Sequence, residues 1–235
     1  MTTKLASTLK LDLRLQSRYG FYYASALTAI LMIILLRQLP LQDLGFLIPV
    51  FLVGNLVLNT FYFVAGMVLF EKSEGTLQAL AVSPLPIREY LASKVGTLTL
   101  LSVVENFAII LLIYGPSFDL LPVLAGTVAM AAIYVLAGFA VVAKYNSISE
   151  YIMPSVIYVT ALQLPLVDYL GIFKSPVFYL FPAQAPLVLM GSAFTPAESW
   201  QIAYGLVYSL ICIGGAYILA SKAFRKYIVR QEGEI

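Results

Sequence analysis

The sequence predicts an all-α integral membrane protein with six transmembrane helices and both termini on the cytoplasmic side. Three observations carry that expectation. Hydrophobic residues make up 61% of the 235 and charged residues only 11%, whereas a water-exposed domain carries roughly 25% charged residues. The mean hydropathy, +0.91, is concentrated in apolar runs long enough to cross a bilayer. The 14 Lys and Arg residues fall almost entirely into alternate connections between those runs.

A helix needs about 20 apolar residues to cross roughly 30 Å of hydrocarbon. The first 18 residues precede any such run. Within Lys4–Arg18, Leu5, Leu9 and Leu13 fall at helical spacing among basic residues. This predicts an amphipathic helix on the inner membrane surface, although Leu9, Leu11, Leu13 and Leu15 also alternate. Spans are then predicted at Tyr19–Leu36, Phe46–Phe70, Val95–Tyr114, Leu120–Val142, Ile152–Tyr169 and Ile202–Ala220. The second is long enough to tilt or to project from the bilayer. The fifth is interrupted by Pro154, Gln163 and Pro165, and reads as a kinked span whose freed backbone groups are re-satisfied by neighbours. Pro176–Met190 is apolar but holds Pro176, Pro182 and Pro186. It predicts a re-entrant or interfacial pair of short helices, with Phe178, Tyr179 and Phe181 at the headgroup level. The whole chain, 1–235, is then one transmembrane domain: an N-terminal helix over 1–18, a six-span bundle over 19–220 and a cytoplasmic tail over 221–235.

Charge gives the bundle its direction. Lys4, Lys10, Arg14 and Arg18 precede the first span, and Lys222, Arg225, Lys226 and Arg230 follow the last. Lys72, Arg88 and Lys94 lie between spans two and three, and Lys144 between four and five. Only Arg37 and Lys174 fall on the other side. The positive-inside rule makes the crowded side cytoplasmic. A seventh crossing would move the basic C-terminus outside.

The composition also excludes chemistry. Histidine is absent, which removes imidazole-based metal sites, proton relays and Ser-His-Asp or Cys-His catalysis. The lone Cys212 has no intrachain partner for a disulfide. No pair of intramembrane acids is set for aspartyl or metal chemistry, no metal site is predicted and nothing suggests nucleic-acid binding. The first apolar run has no small-residue cleavage pattern, so it is expected to remain as a span.

One connection is unusually structured. Glu71–Lys94 reads EKSEGTLQALAVSPLPIREYLASK. Ser73 offers an N-cap, with Glu74 beside it where a helix N-terminus favours negative charge. Leu77, Leu80 and Ala81 would share one face of a short helix. Ser83-Pro84-Leu85-Pro86 would stop it, with Pro86 starting the next helix. A short amphipathic helix at the cytoplasmic end of two spans is a docking element for a soluble partner.

Within the spans, Glu105 is a mid-membrane acid, where ionisation is costly. It reads either as a pathway or proton-binding carboxylate, or as a hydrogen-bonded link between spans through Asn55, Asn59 or Asn106. Asn55, Asn59 and Gln163 are further mid-span polar groups suited to interhelical hydrogen bonds. Phe61, Tyr62, Phe63, Tyr134, Tyr158, Tyr204 and Tyr208 can serve either as packing or as the lining of an apolar cavity. Asp119 and Asp168 fall at outer helix ends and are expected to be solvated.

The run Glu71-x-x-Glu74-Gly75-Thr76-Leu77-x-x-Leu80, followed by Ser83-Pro84-Leu85-Pro86, Glu89-Tyr90-Leu91 and Lys94, resembles the signature of type-2 ATP-binding-cassette (ABC) transporter permeases. Within them it is similar to small six-span drug-exporter permeases, including those for fluoroquinolone export. Asp12-Leu13-Arg14-Leu15-Gln16, Arg18-Tyr19-Gly20 and Pro182-Ala183-Gln184-Ala185-Pro186-Leu187 extend the resemblance over essentially the whole chain. It implies the transmembrane half of an exporter of hydrophobic or amphipathic solutes in a prokaryotic cytoplasmic membrane. It implies pairing with a second copy or a related permease, and no cofactor in this chain. ATP and Mg would belong to a separate ABC ATPase, in keeping with the absence of a G-x-x-x-x-G-K-[ST] loop. Glu74, Gly75, Thr76, Leu77 and Leu80 would form the coupling helix, with Glu71 at the end of span two. Permeases for haem or lipid export share the Glu-Gly-Thr-Leu pattern and form the nearest alternative; a non-transporting membrane scaffold is a further one.

Overall fold

The computed structural model describes residues 2–39, 44–77 and 86–229, with side chains from Leu5 onward. Among these residues the fold is wholly helical. Helix α1 spans Thr2–Arg18 and α2 Phe21–Leu36; they meet at a 65° bend at Gly20. Helix α3 runs over Leu44–Ser73, α4 over Ile87–Ile113, α5 over Leu120–Val142 and α6 over Ile148–Tyr169. A 3₁₀ turn at Pro176–Leu180 leads to the short α7, Gln184–Ser192, and then to α8, Ser199–Phe224, which ends in a π turn, Arg225–Val229.

Five of these helices are long and apolar enough to cross a membrane, or six if the bent pair α1–α2 is one span. Their ends gather into two groups. Arg18 pairs with Glu74, Lys72 reaches Ala143 and Tyr145, and the Tyr90 ring meets Phe224; this is the basic end. At the other, Phe46 stacks on Tyr169, and Tyr114 and Phe118 both pack on Phe194.

Lipid tails are as apolar as leucine, so helices in a membrane associate through close packing and buried polar contacts. Helix α5 shows this best. Its small residues let it sit centrally, against α3, α4, α7 and α8. A Cβ at Gly126 would lie 2.5 Å from Met190 Cγ and 2.8 Å from the Pro186 carbonyl, and one at Gly205 would lie 2.5 Å from Leu189. These two glycines open the slot that holds α7 between α5 and α8. The Pro176–Met190 region is thus a pair of short helices as expected, but α7 is buried in the bundle rather than laid on a surface. Burial falls from 61% of the apolar window in α3 and α5 to 17% in α6 and 11% in α8, leaving the last two largely bare.

Several local expectations are corrected. Ser73 is not an N-cap: it closes the last turn of α3, where its hydroxyl donates to Phe70 O. The helix stops because Gly75 adopts φ 69°, a conformation that glycine takes without steric cost. Helical geometry resumes at Thr76–Leu77; Leu80, Ala81 and Ser83-Pro84-Leu85 lie outside the described residues. Pro86 is the cap residue before α4, and its carbonyl accepts from Glu89 and Tyr90. Helix α4 begins at Ile87, directly after Pro86 as expected; the span predicted from Val95 is the later part of this longer helix, so Lys94 is inside a helix rather than in a solvated connection. Helix α1 forms as expected, yet its most buried residues are Thr8, Asp12 and Gln16, while Leu11 and Leu13 are exposed. Polar partners on α4 explain the inversion.

Candidate functional site

Three constellations lie along the bundle. The first is at the basic end. Lys94, 1% exposed, projects from the first turns of α4 between two carboxylates. Its Nζ donates to Asp12 Oδ1 of α1 at 2.6 Å and also to Glu71 Oε1 of α3. Tyr90 donates to the second Glu71 oxygen at 2.6 Å, and Ser93 to the second Asp12 oxygen. One helical turn further on, Gln16 donates to Thr97 Oγ1 at 2.9 Å. A buried ammonium has three protons and no acceptor capacity; here two carboxylates meet it, and the hydroxyls complete their oxygens. Burying charges is favourable only with such completeness. The network fastens α1, α3 and α4 together within a few residues of the Gly75 turn. At that turn Thr76 Oγ1 donates to Glu71 O at 3.1 Å, and Leu77 is buried. Glu74 is at the surface, 3.4 Å from Arg18. Lys72 donates to Ala143 O and Tyr145 O at 2.6 and 2.7 Å, tying the end of α3 to the cap residue and the turn that follow α5.

The second constellation is mid-bundle. Glu105 of α4 accepts from Ser25 and Asn59, and from Thr28 at 3.0 Å. Asn59 also donates to Asn55 at 3.3 Å, and Asn55 to Asn106 at 3.0 Å. The acid and three asparagines thus link α2, α3 and α4. Asn59 lies in a π turn, Val57–Tyr62, inside α3. Such single-turn widenings are frequent at functional sites. Gly138 of α5 faces it: a Cβ there would lie 2.7 Å from Phe61 O. Gln163 is not part of this cluster; its Oε1 receives Tyr134 OH at 3.5 Å.

The third is an apolar cleft of about 450 Å³ between α3, α5, α6 and α8, within the range of drug-sized ligand sites. Phe61, Ala140, Tyr158, Leu162 and Phe181 help line it; Phe61 and Tyr158 were candidates for such a lining, whereas Phe181 was expected at the headgroup level. Lys144 stands at its rim on the basic end, donating to Tyr158 OH at 2.9 Å. That bond holds the ammonium above the ordinary lysine value. Tyr62 instead receives a hydrogen bond from Ser155, while Tyr204 and Tyr208 bond the Tyr179 and Leu180 carbonyls. Asp168 is not simply solvated, since Ser175 N and Gln184 Nε2 donate to it at 3.3 and 3.0 Å.

Sequence reasoning had singled out Glu71 but not the partners it would meet. Asp12 and Lys94 were legible only as members of the resemblance. The available signal was a lysine eight residues into α4's apolar pattern, with an acid on each neighbouring element.

Apolar spans, buried polar links between them and a drug-sized apolar cleft define a multi-pass membrane transport protein. The model of the fluoroquinolones export permease protein family matches residues 3–232, and the chain belongs to that family. It is similar to the fluoroquinolones export permease proteins of two Mycobacterium tuberculosis strains, CDC 1551 / Oshkosh and ATCC 25618 / H37Rv. Each is 33% identical over 234 residues, covering 98% of this chain and 99% of the relative. No solved structure matches.

Proposed function

We propose that the chain is the transmembrane subunit of an ATP-driven drug exporter. Its six spans run with both termini and the basic end in the cytoplasm. A separate ABC ATPase, holding ATP and Mg, docks on the segment Glu74–Leu80. The permease works beside a second copy or a related permease, and a hydrophobic or amphipathic drug occupies the cleft beside Tyr158 and Phe181.

The observation that carries this reading is the bracing of the Gly75 turn. Lys94 joins Glu71 to Asp12 immediately beside it, so a displacement of Glu74–Leu77 is delivered to α1, α3 and α4 as a unit. A transition between inward- and outward-facing states needs such rigid-body transmission. The twelve basic residues on one side support the orientation.

The test is to express the permease with its neighbouring genes and purify it gently. An ATPase bearing a phosphate loop should accompany it. Gly75→Pro or Leu77→Asp, expressed at normal levels, should leave ATP hydrolysis in place and lower drug export at least about tenfold. Full export by these variants, or a permease that purifies alone, overturns the reading. Stimulation of the reconstituted ATPase by haem or lipid in place of drugs would shift the cargo and keep the mechanism.

A further inference from the structure

A second pocket, of about 210 Å³, lies at the end of the bundle opposite Lys72. It is formed where the C-terminus of α6, the 3₁₀ turn, α7 and the start of α8 converge. Its polar lining is weighted toward acceptors, with the Tyr169 hydroxyl and the Gln201 amide nitrogen as its side-chain donors among the described residues. Asp168 brings a carboxylate, and among the described residues no basic side chain lies within ion-pair distance of it. Gln184 is 2% exposed; its amide nitrogen is committed to Asp168 Oδ2, and its buried Oε1 has no partner. The hydroxyls of Ser192 and Thr195 spend their protons on Leu189 O at 2.8 Å and Gly191 O at 3.1 Å. What they turn to the pocket is lone pairs. Tyr169 contributes a buried hydroxyl without a partner and, with Tyr179, an aromatic wall.

Acceptors, one net negative charge and aromatic rings call for a ligand that brings donors and positive charge. We propose that this pocket binds an organic ammonium group, taking its N–H donors on Asp168 and Gln184 Oε1 and its charge against Tyr169 and Tyr179. The volume is below that of a whole drug-sized site, so the pocket takes the amine end of a larger molecule. Its role as the last station before release rests on the export reading; the binding itself does not.

The chain carries its own reporter. Trp200 is the single tryptophan, and its ring lies 5.9 Å from that of Tyr179. In neutral-lipid nanodiscs, benzylammonium should shift Trp200 emission saturably, while the neutral isostere benzyl alcohol at equal concentration should not. Asp168→Asn should weaken the ammonium about tenfold, the loss expected for one charge-assisted contact. Thr195→Lys, at the exposed rim where folding tolerates it, should abolish binding by placing a cation in the pocket. Equal responses to amine and alcohol, or unchanged affinity in either variant, overturn the proposal. So does displacement of benzylammonium by millimolar sodium at constant ionic strength, which would make this an inorganic-cation site. A chain that binds benzylammonium yet never exports in the reconstituted system would overturn the export reading alone.

Discussion

Lys94 shows how much a single side chain can hold. Removing its ammonium strands Asp12 and Glu71 as buried carboxylates, so Lys94→Met should cost about 3–5 kcal/mol. A buried ion triad is not intrinsically more stable than a well-packed apolar or neutral one. The triple variant Asp12→Asn, Glu71→Gln, Lys94→Met should therefore regain most of that loss in thermal unfolding of the detergent-solubilised protein. A triple variant no better than Lys94→Met would show that the three groups do not act as one network. Glu105 is the contrasting case, because all its partners are neutral donors. Glu105→Gln keeps an acceptor for Ser25 and Asn59 and offers Thr28 a donor its hydroxyl can accept, so stability should change by less than about 1 kcal/mol. Glu105→Leu should cost roughly 1–3 kcal/mol for each stranded donor. If Glu105 is a structural link, export survives the Gln change; export at background in a stable Gln variant would make its charge part of the pathway. The sequence made Glu105, Asn55 and Asn59 visible because polar groups stand out against an apolar span. It hid the partnership of Asp12, Lys94 and Glu71 because basic residues near span ends all look solvated.

At the scale of elements, the sequence located nearly every helix but misread how α3 ends. Ser73-Glu74 has the composition of a helix start, and only the backbone shows that Gly75, at φ 69°, finishes α3 instead. An L side chain in that conformation costs roughly 1–2 kcal/mol. Gly75→Val should therefore disturb the turn that carries Thr76 and Leu77, and speed proteolysis there, while α3 and α4 keep their packing through Lys94. Protease resistance equal to the parent would mean that the turn relaxes without strain. The start of α4 was legible from Pro86, but its first turns were left out of the span because Arg88, Glu89 and Lys94 lower their hydropathy; Lys94 and Glu89 are nonetheless buried there. The slot around α7 makes a sharper demand. Gly126→Val would drive a branched side chain into Met190 and the Pro186 carbonyl, and overpacking of this kind typically costs about 1–3 kcal/mol. A lower melting temperature is expected, with partial rescue by Met190→Ala, which empties the space the valine enters. Without rescue, the strain lies in the backbone of α7 rather than in its side chain.

At the scale of the whole molecule, composition and charge patterning sufficed for the class of fold. Neither could anticipate that α6 and α8 would be bare on one chain, because hydropathy does not distinguish a lipid-facing surface from one that meets a partner. The bundle's direction in the membrane rests on twelve basic residues against Arg37 and Lys174. Their distribution is reinforced by structure, since Lys72 and Lys144 hold their positions through carbonyl and tyrosine contacts at the same end. Cysteine labelling tests that direction in a Cys212→Ser background. Ser17→Cys in α1 and Lys222→Cys in α8 lie at the basic end, and Lys174→Cys lies at the other; all three positions are exposed. A membrane-impermeant maleimide applied to intact cells should modify only Lys174→Cys, and permeabilisation should admit the other two. Labelling of all three from outside would break the bundle's two-ended organisation. Labelling of Ser17→Cys and Lys222→Cys alone would invert it, and would place the Gly75 turn where no ATPase could reach.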